Sequence, residues 1–404
     1  MKKTFWAGIA AITLLSAQAS IEPQAAKAAL IDDTAIESGD DAVKGEIDQA
    51  VQAFKDIAGH WAKPGIIQAV KRGYVEGFPD GNFLPNNKVT RAEFVKMTVS
   101  ALDLEVGSTS GSWYTPYVNA AETAGIYKSG DFEDADWTKP MTREEMSKVA
   151  VRALGITDVE DKQWMYMAAK NGIISGTAPG VISPEGTTTR AQAITVIERV
   201  LSVKEGKTLS VDKYAVASAE LYWHKTNLFT VAEEIFNGPK NTNPRFGIQS
   251  WKVSNLTVSA PNGSVQGRVN SLIAIDWNDP KDPNRKLLPT KDKLFWLYGG
   301  QEMKFTDDLE VYILVLDSEL TINKNPQGYR TNRLALSVRG YEGTSSKDRL
   351  TEAMPIRSND SDKEIYGLAI PKSGFSHEGS LRVNVETITA GAAVYLNKLS
   401  ESKL

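Results

Sequence analysis

Three arginines stand where a helix should repel them. Thr90, Thr142 and Thr189 each open a four-residue box, TRAE, TREE and TRAQ. In such a box the hydroxyl accepts from the backbone N–H three residues on, and Glu93, Glu145 or Gln192 returns to the threonine N–H. A helix therefore begins at each box. Arg91, Arg143 and Arg190 fall in its first turn, where the macrodipole disfavours a cation by about 0.3–1 kcal/mol. The chemistry open to such a pattern is local anion recognition, by helix N–H groups and a planar guanidinium fork together. The alternative is surface ion pairing with acidic loops such as Asp131 to Asp136.

The elements that carry these residues repeat. Each box precedes an apolar stripe of helical period: Phe94/Met97/Thr98/Ala101, Met146/Val149/Ala150/Ala153 and Ala193/Val196/Ile197/Val200. Gly73, Gly125 and Gly172 each lie 18 residues before the arginine and end an earlier short helix, the usual place for a C-terminal glycine. Trp61 and Pro64 stand 12 and 9 residues before Gly73, as Trp113 and Pro116 do before Gly125. The unit is helix, glycine, turn-rich loop, box, helix, three times over.

The chain has 404 residues, 41% hydrophobic and 24% charged, with net charge −4. That is an ordinary globular mix with room for more than one domain and no global attraction to nucleic acid. Residues 1–28 read as a signal peptide, with Lys2–Lys3, an apolar run from Phe5 to Leu15 and cleavage after Ala28, Ala19 being the alternative. No later run is long enough for an integral membrane anchor. The absence of cysteine excludes disulfides and thiolate metal sites, and fits a Gram-positive surface.

"FKDIAGHWAKPGIIQAVKRGYVEGFPDGNFLPNNKVTRAEFVKMTVSALDL" resembles an S-layer homology repeat, and the next two units resemble diverged copies. The resemblance divides the chain into repeats at 51–105, 106–156 and 157–203, after an acidic lead-in at 29–50. It implies an α-helical pseudo-threefold trimer of repeats anchored noncovalently to a pyruvylated secondary cell wall polymer linked to peptidoglycan. A pyruvate ketal offers one carboxylate, which Arg91, Arg143 and Arg190 would grip in grooves between repeats. Gly77, Ser129 and Gly176, each four residues past a cap glycine, would let the backbone approach the sugar, or serve turn geometry alone. Trp61 and Trp113 are stacking candidates or core, and Asp56 belongs to the F-x-D opening. Departures matter: Ser108 stands where Asp56 would recur, Glu160 where a tryptophan would, and GFPDGNFLP is complete only once. The grooves are expected to be unequal, with Arg91 in the most complete repeat the strongest contact.

Residues 204–250 read as a linker and a helical segment, "YAVASAELYWHKTNLFTVAEEIF". From 251 to 404, β-branched runs separated by turn residues predict a β-rich antiparallel sandwich of no recognised family, making the whole an α + β multidomain chain. His224 and His377 have no metal-ligand spacing, and no nucleophile motif appears. "DWNDPKDPN", Asp276 to Asn284, could hold calcium or be a plain turn. No catalytic residue and no other cofactor are assigned. The expected role is an exported surface protein displaying a structural or binding domain to S-layer or other surface proteins. The alternative is a wall-anchored polysaccharide-active enzyme.

Overall fold

The computed structural model describes residues 54–324, 326, 332–387 and 395–404. The expected signal peptide and acidic lead-in lie outside the described residues. Three helix pairs come first: α1 (Lys63–Lys71) with α2 (Arg91–Ala101), α3 (Thr115–Thr123) with α4 (Arg143–Ala153), and α5 (Gln163–Lys170) with α6 (Arg190–Lys204). Proline at the first turn starts α1 and α3, where its missing N–H costs nothing. Gly73, Gly125 and Gly172 have φ of 75°, 71° and 71°, the left-handed conformation that ends a helix. All three boxes form as full capping boxes. The apolar stripes are buried in one shared core, except for the half-buried Ala101.

The pairs are closed into a ring by main-chain bonds that no local pattern specifies. Val89 N–H donates to Thr188 O, Thr188 N–H to Met141 O, and Met141 N–H to Val89 O, each 2.9 Å. All three residues are fully buried, so each bond satisfies groups that water cannot reach. The third pair thus meets the first as the first meets the second.

The region between 204 and 250 is a bridge. Helix α7 (Lys213–His224) starts at Asp212, whose side chain accepts from Tyr214 and Ala215 N–H. Ala215, Val216 and Ala219 lie in the helical core, while Ala217 lies in the β core. The long helix read from sequence breaks at Lys225, φ 63°. Thr226 Oγ1 donates to Leu272 O (2.7 Å), and Asn227 donates to Ala274 O (2.9 Å) and accepts from Ala274 N–H (2.7 Å). Strand pairing competes with helix there and wins. Two one-turn helices follow, α8 (Leu228–Val231) and α9 (Glu233–Phe236).

The remainder forms two antiparallel sheets. The larger contains β1 (Thr257–Ser259), β2 (Val265–Asp276), β3 (Leu294–Tyr298), β4 (Gln301–Lys304), β5 (Val311–Asn323), β7 (Met354–Ser358) and β8 (Gly367–Pro371), in the order β1-β2-β5-β8-β7-β3-β4. The smaller is β10 (Tyr395–Glu401), β9 (Ser376–Thr387) and β6 (Ala335–Glu342). Leu272, Leu314 and Leu368 of the first share a core with Leu336, Val383 and Leu399 of the second. The opposite face of β2 and β5, Ile275 and Ile313, packs with Trp277, Trp296 and Phe305. Burial on both faces explains why these strands read as unbroken apolar runs. The hairpin of β3 and β4 was not expected, although Gly299–Gly300 between LFWLY and QEMK, both at positive φ, is a two-residue hairpin signal.

Candidate functional site

The helix N-termini beside the three arginines hold no free donors for an anion. Arg91 and Ala92 N–H donate to Lys139 O (3.0 Å) and Trp137 O (3.1 Å). Arg143 and Glu144 N–H donate to Gly186 O (2.8 Å) and Pro184 O (3.0 Å), and Arg190 and Ala191 N–H to Asn87 O (2.9 Å) and Pro85 O (3.0 Å). The third N–H of each helix goes to the capping threonine. The expected helix-end anion site is thereby corrected: carbonyls of the next helix pair occupy it. Any recognition rests on the guanidinium forks.

Those forks are buried and unequal. Arg91, Arg143 and Arg190 are 4%, 7% and 8% exposed. Each reaches into the loop of the following pair, the third into the first. Arg91 Nε donates to Glu145 Oε1 at 3.1 Å, Nη2 makes a second, closer bond to the same oxygen, and Nη1 meets Asp134 Oδ1 at 2.8 Å and Asp136 O at 3.0 Å. Burial works against its charge, but Glu145 and Asp134 outweigh that and hold the guanidinium pKa above its ordinary value. Ion pairing was the alternative reading of this arginine, and it describes Arg91.

Among the described residues, Arg143 and Arg190 donate only to carbonyls. Arg143 donates to Ile182 O (3.0 Å) and Ser175 O (2.8 Å); Arg190 donates to Phe83 O (3.2 Å) and Glu76 O (3.1 Å). Burial, with Arg199 nearby, brings Arg143 down to about 10. Burial also lowers Arg190, with Glu93 and Asp56 opposing it from a distance. Arg190 lies over two rings, 5.0 Å from Phe78 and 4.8 Å from Phe83, a placement that suits a weakly hydrated guanidinium. Phe78, Phe83, Ser175 and Arg199 were not singled out from sequence; Phe83 and Ile182 each lie 8 residues before a box arginine, and Glu76 and Ser175 each 15, a recurrence that could have found the carbonyl partners.

The other candidates divide. Gly77 and Gly176 adjoin the carbonyls of Glu76 and Ser175, so Arg190 and Arg143 meet the loops in which they lie. A Cβ at Gly77 would fall 1.9 Å from Phe54 Cε1, and at Gly176 2.8 Å from Ala178 O; the chain itself fills that space. Ser129 is exposed, and no hydrogen bond joins it to Arg91. Asp56 accepts from Phe83 N–H (2.8 Å) and Leu84 N–H (2.7 Å), which fixes the loop beneath Arg190. Trp61 is half-buried against the helical core, whereas Trp113 is 55% exposed.

In the β region the calcium candidates are engaged. Asp276 pairs with Lys372 at 2.5 Å, Asp279 accepts from the Tyr214 hydroxyl, and Asp282 accepts from Asp276 and Asn284 N–H at 2.8 Å. Among the described residues no three histidine or acidic side chains gather as a metal would need. His224 is buried at the end of α7, which lowers it to about 4; His377 is half-buried on β9 and bonded to Gly379 O. No described helix is long and apolar enough to cross a membrane.

Compared with known families, the chain matches the S-layer homology domain at residues 53–95 and 155–194. An S-layer protein of Bacillus thuringiensis subsp. finitimus is 25% identical over 239 residues, 52% of this chain and 29% of that protein. An amylopullulanase of Thermoanaerobacterium thermosulfurigenes is 34% identical over 177 residues, 37% of this chain and 10% of the enzyme. Exoglucanase XynX of Acetivibrio thermocellus is 34% identical over 175 residues, 37% of this chain and 16% of the enzyme. The enzymes match the helical region alone. The chain spans well under two thirds of each of these curated relatives.

Proposed function

Since this chain carries S-layer homology domains and is a secreted cell-surface protein, we propose that its helical region is a noncovalent anchor to a pyruvylated secondary cell wall polymer. We read residues 106–156 as a third, diverged repeat and the three together as a pseudo-threefold unit. The observation that carries the reading is the pair of buried arginines, Arg143 and Arg190, held by carbonyls and left without a carboxylate among the described residues. A pyruvyl carboxylate entering either joint would supply the missing charge-assisted bonds. The joint at Arg91 already contains its carboxylates and is the silent one. This reverses the expectation that Arg91 would be the strongest contact.

The β region, two sheets on one core, is proposed to act in display or lattice contact without hydrolase activity. Retention of the full chain on native and depyruvylated walls tests the anchor. Arg143→Ala with Arg190→Ala is expected to abolish retention, as depyruvylation does, while each single change weakens it partially because the remaining site still holds a polymeric ligand. A folded double variant retained like wild type would sink the reading. Wall-glycan turnover by the full chain, removed by one Asp or Glu substitution, would overturn the non-enzymatic role.

A further inference from the structure

The joint between the second and third helix pairs carries a second guanidinium that no carboxylate pairs among the described residues, whereas its counterpart at the Arg91 joint, Arg152, is held by Asp131. Arg199, from the second half of α6, donates through Nη1 to Ile173 O at 3.3 Å and Ser175 Oγ at 3.4 Å. Arg143 Nη2 donates to Ser175 O at 2.8 Å. Two guanidiniums therefore share one residue, and among the described residues no carboxylate pairs with either. The reason is legible in the boxes. The second box supplies Glu145 to Arg91, but the third ends in Gln192. Gln caps the helix as well as Glu does and contributes no charge. Like charges so placed repel each other, and burial lowers both.

We propose that Arg143 and Arg199 form an anion subsite selective for a group bearing two negative charges over a single carboxylate. The source of that charge is a phosphoryl group or two neighbouring carboxylates. The inference rests on the anchoring reading for the origin of the ligand, and names the charge class that this one joint takes. Arg190, within reach of two rings and with no second guanidinium bonded to the same residue among the described residues, is the single-charge counterpart.

The test is calorimetric titration of the full chain at pH 7.5 and constant ionic strength with inorganic phosphate, malonate and pyruvate. Wild type is expected to bind phosphate or malonate saturably and at least tenfold more tightly than pyruvate; which dianion wins identifies the source. Arg199→Gln removes the second cation, and Gln192→Glu supplies the missing acid while keeping a capping residue that two other boxes already use. Both are expected to lower dianion affinity at least tenfold, with unchanged melting by circular dichroism. No saturable dianion binding, pyruvate bound as tightly, or Arg199→Gln binding like wild type would each overturn the proposal. If the Arg143/Arg190 double variant still holds walls while these selectivities appear, the anchoring reading alone fails. If walls are lost without dianion selectivity, this inference alone fails.

Discussion

The joints at Arg91 and Arg143 are built from the same box, the same helix start and the same cross-pair carbonyls, yet one is closed by carboxylates and the other gathers two guanidiniums. The difference lies in residues outside each arginine's own helix pair: Glu145, Asp134 and the Asp131 that holds Arg152, against Gln192 and an Arg199 with no carboxylate among the described residues. A helix cap thus has two readers. Its own helix needs only an acceptor, and the neighbouring arginine needs a charge.

The sharpest way to break the contrast is Glu145→Gln. The amide can still cap α4, but Arg91 loses its buried counter-ion, and removing one member of such a pair costs about 3 kcal/mol. Chemical denaturation should show that loss. A change under about 0.5 kcal/mol would mean that Asp134 neutralises Arg91 unaided.

Acidity provides the next contrast, between a carboxylate held by a cation and one held by neutral donors. Glu220 in α7 is fully buried and accepts from Phe229 N–H (3.1 Å), Thr230 Oγ1 (2.5 Å) and Thr230 N–H. Burial raises it to about 8 despite those bonds. The folded chain therefore keeps a proton there that the unfolded chain has released, and stability falls as pH rises from about 4.5 to about 8. His224, lowered to about 4 by burial, acts oppositely: stability is lost as pH falls from about 6.5 to about 4. Between pH 6.5 and 8 His224 no longer opposes the Glu220 slope, which reaches up to about 1.4 kcal/mol per pH unit. Urea midpoints should drop across that window in wild type and stay flatter in Glu220→Gln. Equal slopes would remove Glu220 from the account.

Smaller effects separate filled from open positions. Gly77→Ala drives a Cβ into Phe54 and should lower stability by about 1–2 kcal/mol. Ser129→Ala, at the matching exposed position, should change it by less than about 0.5 kcal/mol. Trp113→Ala should be as mild in melting, so any loss of wall retention by that variant would report contact with ligand. Equal destabilisation by Ser129→Ala and Gly77→Ala would show that loop packing does not distinguish the two joints.

The local half of this architecture was legible in the chain. In each helix pair the terminal glycine, the capping box and the apolar stripe are written within 28 residues of one another, and all three boxes form. What escaped was non-local. Nothing near Arg91 indicates that Lys139 and Trp137 will consume its helix-end donors, or that Glu145 will turn to it. The helical segment after the linker was read as continuous, and neither its break at Lys225 nor the two cores that the alanines of α7 face showed in its pattern. The strands β3, β4 and β7 were overlooked because they are short, although the Gly-Gly turn between the first two was visible.

The closed triangle of Val89, Met141 and Thr188 has a mechanical consequence. Open solenoids hold repeats in a row, each touching only its neighbours, and can fray from either end. Here the last helix pair grips the first, so there is no outermost unit to peel away. Traction entering through α7 from the β region meets three mutually bonded helix pairs, and the number three is fixed by closure: a fourth pair would have to open the triangle to enter.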